Sequence, residues 1–288
     1  MITDVHTHFW TPGHQGPPWS DGIGRVSRTL ASDQLDHVTA ESYTANVAPA
    51  ERSIVFGLQA HAAGIVVPND EVAAFVRKVG ALSTGRRTVG FMSVDPTQHG
   101  AVAEIERCHA DLGLRGIKLG PVYQGTSPLH PQTLRVFKTA ERLGLPVMIH
   151  QGAIFANAGR LADSVPLLLD DVAIAFPNLR IVVAHMGHPW VYETAVVMRR
   201  HANVYADTSA IPSRPTVLAT ALAAAKEYGV LPKVLFGSDS PMVTTQGAID
   251  GLRAVVARMQ LVAYTPLTDE ELNDLLHRPS FELLGIDE

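Results

Sequence analysis

The sequence contains a single cysteine, Cys108, so no disulfide can form within the chain of 288 residues. That usage is typical of a reducing compartment such as the cytosol. Long apolar runs are also missing, since none approaches the roughly 20 residues that a membrane-spanning helix needs. His6 and its apolar strand lie close to Met1, which leaves no room for a signal peptide. We therefore expect a cytoplasmic protein that does not associate with a membrane.

Positive charge is scarce and dispersed. The net charge is −5, and no basic run is longer than Arg86-Arg87 or Arg199-Arg200. This argues against a nucleic-acid groove. No GxGxxG or GxxxxGK[ST] pattern follows an early strand, which argues against a nucleotide-binding fold. A small molecule is the expected partner, and a homodimer stays open.

Short apolar runs instead alternate with amphipathic stretches along the whole chain. The runs cover residues 2–5, 53–56, 88–94, 115–119, 146–150, 180–185, 203–207 and 233–239. Several are continuously apolar and β-branched, as strands covered on both faces by helices should be. Helical patterns cover residues 71–79, 101–113 and 131–144. We predict a single-domain (β/α)8 barrel over residues 1–288, with an open doubly wound sheet as the alternative.

Glycine and proline mark the predicted boundaries. Gly113 and Gly144 stand where helix ends favour a left-handed residue, and Pro131 and Pro189 stand at predicted first helical turns. The least regular stretch, residues 11–30, is predicted to be a loop over the active site. A surface loop without a function is the alternative.

Polar side chains stand at the predicted carboxyl ends of the strands, where barrel enzymes carry their active sites. They are His6, His8, Lys118, His150, His185, Asp207 and Asp239. Residues i and i+2 of a strand share a face roughly 6.5–7 Å apart, so His6 and His8 can meet one ion. His-x-His alone is weak evidence, but His150 and Asp239 could complete a site with an open water position.

Two further histidines have open roles. His185 could be a second metal ligand, a proton-transfer group or a residue that closes its strand. His188 stands at a predicted helix start, where helix capping and catalysis are both open.

Six motifs occur in a recognisable order: DVHTH, GIKLGPVYQG, LPVMIHQG, IVVAHMGHPW, NVYADTSA and LFGSDSP. Together they resemble the amidohydrolase superfamily, and within it the TIM-barrel metal-dependent hydrolases related to aminocarboxymuconate-semialdehyde decarboxylase. The resemblance extends from Met1 to about Gly285. It is specific for fold and metal chemistry but a poor guide to the substrate.

The resemblance implies that His6, His8, His150 and Asp239 bind one divalent ion, with zinc expected and manganese as the alternative. It implies that Asp239 also accepts the proton of the attacking water, and that His185 is an acid/base or substrate-polarising residue. A carboxylate beside an ion-activated water can take that proton.

Lys118 and His188 depart from patterns seen in relatives. Lys118 stands where binuclear relatives carry a carboxylated bridging lysine, but its GIKLG context favours the mononuclear branch and a contact with a substrate anion. A packed stem with the ammonium at the barrel rim is the alternative. His188 stands where related decarboxylases often carry glutamate. Lys118, Tyr123 and His188 are the predicted substrate contacts.

We predict a metal-dependent hydrolase that acts on a small carboxylated or cyclic organic molecule. The alternative enzyme is a metal-dependent non-oxidative decarboxylase, and the non-enzymatic alternative is a metal-bearing binding protein. TatD-type nucleases and PHP-type phosphoesterases also begin with His-x-His. The former carry a glutamate where this chain has Lys118, and the latter need motifs that we do not find, so both are minor candidates.

Overall fold

Eight parallel strands form one sheet in the computed structural model, which describes residues 1–30, 35–262 and 265–286. The strands are β1 (Thr3–His8), β2 (Arg52–Phe56), β3 (Arg87–Ser93), β4 (Ile117–Leu119), β5 (Val147–Ile149), β6 (Ile181–Val183), β7 (Val204–Asp207) and β8 (Val234–Leu235). Each strand pairs with the next in the chain. The last strand returns to the first, because Val5 N donates to Phe236 O at 3.0 Å and His8 N to Ser240 O at 2.7 Å. The predicted single-domain (β/α)8 barrel is confirmed.

Helices occupy the connections and the C-terminal segment. They are α1 (Trp19–Leu30), α2 (Ala40–Asn46), α3 (Asn69–Leu82), α4 (Ala101–Asp111), α5 (Pro131–Arg142), α6 (Leu168–Ala175), α7 (Val191–Arg200), α8 (Pro215–Glu227), α9 (Thr245–Val262), α10 (Asp269–Leu276) and α11 (Ser280–Leu283). Pro131 begins α5, and Gly113 and Gly144 follow α4 and α5 at φ 67° and 68°. Among the described helices, none combines the length and apolar character of a membrane span.

Two local predictions were wrong. Residues 11–30 are not a loop, because they contain a 3₁₀ turn at Pro12–His14 and the helix α1. Trp19 and Ile23 are 3% exposed and pack into the core, and this burial stabilises a helix that the local glycines disfavour. Pro189 is not in the first turn of α7, since Trp190 is the residue that precedes that helix as its N-cap.

Strand β1 contains a bulge. Asp4 pairs with Ser53, but Thr7 pairs with Val55, so three steps along β1 match two along β2. A bulge of this kind rotates the following side chains relative to the preceding ones. As a result Val5 joins the apolar cluster of the barrel interior, while the adjacent His6 contacts the Phe56 ring in the same interior at 4.9 Å.

The core has two parts. A large cluster lies between the strands and the surrounding helices, and a smaller one fills the barrel interior. The interior cluster includes Val5, Phe56, Phe91, Met148 and Phe281, all fully buried. The guanidinium carbons of Arg52 and Arg87, at the starts of β2 and β3, lie 5.3 Å from the Phe281 ring. Helix α11 therefore closes the barrel at the amino ends of its strands.

Candidate active site

A cavity of about 280 Å³ opens at the carboxyl ends of the strands. The predicted site residues that line it are His8, Lys118, Tyr123, His150, His185, His188 and Asp239. Trp10, Trp19, Arg25 and Phe155 also line it, which places α1 against the cavity. His6 is fully buried and does not line the cavity. Helix α1, the C-terminal part of segment 11–30, therefore forms part of the cavity wall.

Three of the four predicted metal ligands converge. Asp239 Oδ1 lies 3.3 Å from His6 Nε2 and 3.1 Å from His8 Nε2. Donor atoms around a tetrahedral zinc with bonds of about 2.1 Å are roughly 3.4 Å apart, so these three atoms fit one divalent ion. Burial and the Lys118 charge hold the pKa values of His6 and His8 well below the usual range. Both rings are therefore neutral, which is the form that binds metal.

His150, the fourth predicted ligand, lies at the same cavity but outside this group. Its Nε2 donates to the carbonyl oxygen of Ala153 at 2.9 Å. The His150 ring lies 4.8 Å from the Tyr123 ring and 5.1 Å from the His185 ring. The His6, His8 and Asp239 donors lie within 4.8 Å of one another without it. Ligation by His150 stays a prediction.

Asp207 orients His6, a role that the sequence pattern did not indicate. Asp207 Oδ2 lies 2.8 Å from His6 Nδ1, and both side chains are fully buried. Because the carboxylate oxygen accepts, His6 Nδ1 carries the hydrogen and Nε2 keeps its lone pair for an ion. The sequence feature that could have indicated this role is its position at the end of a predicted strand, which Asp207 shares with the predicted ligands.

Ser209 links His6 to His185. Ser209 Oγ lies 3.0 Å from His6 Nδ1 and 2.7 Å from His185 Nδ1, and it donates to Asp207 Oδ1. The Ser209 carbonyl accepts from His185 Nδ1 at 3.0 Å, so the hydrogen is on Nδ1 and Nε2 is unprotonated. The backbone N of His185 donates to Asp207 Oδ1 at 3.0 Å.

His185 has an unusual backbone. Its φ is 56°, in the left-handed region that few residues other than glycine adopt, and the next residue, Met186, has a φ of 49°. Fully buried Met186 and the bonds to Asp207 and Ser209 hold this conformation. Burial holds the pKa of His185 well below the usual range, so its ring is neutral. A neutral ring with a free Nε2 can accept a proton or a hydrogen bond.

Asp239 is also held in the left-handed region, at φ 72°. The preceding residue, Ser238, donates its N–H to Asp4 Oδ1 at 3.0 Å, and Thr245 Oγ1 donates to Asp4 Oδ2 at 2.6 Å. Burial raises the pKa of Asp4 to about 6. Through these two hydrogen bonds, Asp4 connects the loop that contains Asp239 with the first residue of α9.

Lys118 lies inside the barrel, so the alternative that placed its ammonium at the rim is wrong. It is 2% exposed, and its Nζ lies 3.3 Å from His6 Nε2 and 4.5 Å from the centre of the Phe56 ring. Burial lowers the pKa of Lys118 and raises that of Asp239. The positive Lys118 favours the charged form of Asp239 and opposes protonation of the histidines.

The other two predicted substrate contacts occupy separate walls. Tyr123 is 3% exposed, and its hydroxyl accepts from Phe155 N at 3.4 Å. His188 lines the cavity three residues after His185, and its Nδ1 is buried without a partner among the described residues. It precedes α7 and does not cap that helix.

The fold is thus a TIM barrel, and the cavity at its carboxyl end contains a candidate metal centre. The amidohydrolase family model matches residues 3–286. The chain therefore belongs to the amidohydrolase family. A search of curated proteins gave no match.

Many solved structures share the fold, and three of them show its range. A probable 2-pyrone-4,6-dicarboxylic acid hydrolase from Acinetobacter baumannii, with citric acid bound, is 16% identical over 99% of each chain, with a TM-score of 0.69. An amidohydrolase from Burkholderia multivorans with bound zinc is 13% identical over 99% of each chain, at 0.67. A dihydroxybenzoic acid decarboxylase from a Polaromonas species, with manganese and 2-nitroresorcinol, is 16% identical over 100% of this chain and 97% of its own, at 0.64. Family and neighbours together indicate an enzyme, with hydrolases and decarboxylases both represented.

Proposed function

We propose that this protein is a metal-dependent hydrolase that acts on a small, cyclic, carboxylated organic molecule. The observation that carries the proposal is the position of Asp239. Its Oδ1 lies within 3.3 Å of His6 Nε2 and 3.1 Å of His8 Nε2, and the residue also lines the cavity. A carboxylate placed there can hold an ion and take a proton from water on the substrate side.

The ligand set proposed for the ion is His6, His8, Asp239 and His150. His150 would have to give up its hydrogen bond to the Ala153 carbonyl to bind the ion. Zinc is the proposed metal and manganese the alternative, because fold neighbours contain one or the other. A bound divalent ion lowers the pKa of water and polarises a carbonyl oxygen. Asp239 would accept the proton of the attacking water. His185, which lines the cavity with an unprotonated Nε2, would act as a hydrogen-bond acceptor or base.

The proposed substrate class follows from the cavity wall. Three cationic residues line it, Arg25, Lys118 and Arg214, against one described carboxylate, Asp239. Four aromatic side chains, those of Trp10, Trp19, Tyr123 and Phe155, supply flat surface. A planar or cyclic anion complements this mixture. The names of two fold neighbours also include carboxylated compounds. One is a probable dicarboxylic acid hydrolase with citric acid bound, and the other is a dihydroxybenzoic acid decarboxylase.

A carboxy-lyase is the second candidate, because decarboxylases occur among the fold neighbours. In that reaction the substrate carboxylate leaves as CO₂, and a protonated group must deliver a proton to carbon. His185 is neutral, and its Nδ1 hydrogen is held by Ser209. His188 also replaces the glutamate that related decarboxylases often carry at this position. We rank hydrolysis first on these two points, although burial raises the pKa of Asp239 and so favours a protonated form that a carboxy-lyase could use.

Labelled water separates the two reactions. Metal-loaded protein is incubated in H₂¹⁸O with carboxylated lactones, amides, and aromatic or muconate-like acids, and product mass and CO₂ are measured. We expect ¹⁸O in the product, no CO₂, and loss of turnover in Asp239→Asn. Release of CO₂ without ¹⁸O incorporation would replace the hydrolase with the carboxy-lyase.

A further inference from the structure

One wall of the cavity has no assigned role in the chemistry above. His188 follows β6, and Ser213 and Arg214 follow β7, and all three line the cavity. This wall is separate from the His6, His8 and Asp239 group, which belongs to β1 and to the segment after β8. A ligand that reaches the metal donors can therefore contact this wall with another of its groups.

His188 has an unsatisfied ring nitrogen. Its backbone is fixed, since the His188 carbonyl accepts from Ala153 N at 2.7 Å, yet its Nδ1 is buried with no partner in the described parts of the chain. Buried polar atoms without partners are rare and costly in folded proteins. Burial and the nearby Arg214 charge lower the pKa of His188, so the ring is neutral. A neutral imidazole can donate one hydrogen bond to an anion.

The Arg214 guanidinium has donors that a ligand can use. Its Nη1 donates to the Ala210 carbonyl at 3.3 Å. Its charge favours the ionised form of Asp239, but no ion pair joins it to a carboxylate in the part of the chain that the structure describes. Arg214 is exposed, which leaves most of its five N–H donors available to a ligand. A guanidinium at a cavity wall suits the two oxygens of a carboxylate.

We propose that His188 and Arg214 form an anion subsite for a second carboxylate of the substrate, remote from the bond that is cleaved. This inference rests on the proposed hydrolase function and narrows its substrate class to cyclic dicarboxylates. The cavity wall thus combines a hydrogen-bond donor, His188, with a cation, Arg214.

Matched non-hydrolysable ligands test the subsite. Benzoate and benzene-1,3-dicarboxylate differ by one carboxylate, and their dissociation constants for metal-loaded protein are measured by calorimetry. We expect the dicarboxylate to bind wild type at least roughly tenfold more tightly, in line with a charge-assisted hydrogen-bonded contact. Arg214→Met should abolish this preference, because it should weaken binding of the dicarboxylate much more than binding of benzoate. His188→Leu should reduce the preference, and His188→Gln, which keeps an N–H donor, should restore part of it.

Arg199→Met is the matched control, because Arg199 is an exposed arginine on α7 that does not line the cavity. It should keep the full preference. Equal binding of the two ligands by wild type, or a preference that survives Arg214→Met, would overturn the subsite even if ¹⁸O incorporation confirms hydrolysis. A preference that depends on Arg214 supports the subsite even if the labelled-water experiment finds only CO₂.

Discussion

The two ends of the barrel interior differ sharply, although the same strands build both. At the amino end, apolar side chains fill the space and Phe281 of α11 seals it. At the carboxyl end, ionisable side chains point into the same interior. The inward-facing side chains change from apolar or aromatic to ionisable within two positions of the chain. Met148 is followed in this way by His150, and Tyr205 by Asp207.

This contrast separates stability from chemistry. Well-packed apolar groups at the amino end stabilise the fold, since each buried side chain contributes about 1.5–3 kcal/mol. Charged groups at the carboxyl end are costly to bury, and hydrogen bonds such as the 2.8 Å contact between His6 and Asp207 only offset that cost. Substitutions at the two ends should therefore affect different measurements.

The largest expected effect is loss of metal at the carboxyl end. His6→Ala and Asp239→Ala each remove a donor from the group of three, so metal should fall from about one divalent ion per chain to nearly none. Elemental analysis after dialysis measures it. Full metal retention in both variants would refute the proposed site.

The second largest effect should be the loss of turnover when His185 is replaced. His185→Asn removes the neutral ring, and a lost acid/base group typically costs 10²–10⁴-fold in rate. Metal content should stay at the wild-type value because His185 lies outside the ligand set. If metal were lost together with activity, His185 would be a ligand and its proposed role would be wrong.

At the amino end, Phe281→Ala should lower the free energy of unfolding by about 3–5 kcal/mol, the usual cost of removing a buried phenylalanine. Urea denaturation measures the change. The folded variant should keep its metal and its turnover, because Phe281 belongs to the apolar cluster of the barrel interior and does not line the cavity. A variant of normal stability would show that α11 does not seal the barrel.

The smallest expected effect is on metal affinity when Asp207, which orients the His6 ring, is replaced. Asp207→Asn weakens the bond that orients its ring, so metal affinity should fall 10–100-fold, as is typical when such a partner is changed. Competition with a chromogenic chelator measures the affinity. Asp95→Asn is the control, since that carboxylate is buried beside His61, which does not line the cavity. Equal losses in both variants would indicate a general structural effect.

The eight strands could be predicted because each is a short apolar run that is covered on both faces, and their order follows from chain order in a barrel. The place of His6, His8 and Asp239 at the carboxyl ends follows from the same pattern. Helix α1 could not be predicted, since its local residues favour a loop and only the burial of Trp19 and Ile23 stabilises a helix.

The sequence by itself therefore determined the barrel, the end at which polar residues gather and the candidate ligands. Only the tertiary structure decided the partners within the site. The bulge in β1 brings both Val5 and His6 into the barrel interior, and Asp207 contacts His6 across 201 positions of the chain. Strand periodicity is local and can be read from neighbouring residues. The orientation of a buried ring depends on hydrogen bonds between segments that meet only when the barrel closes.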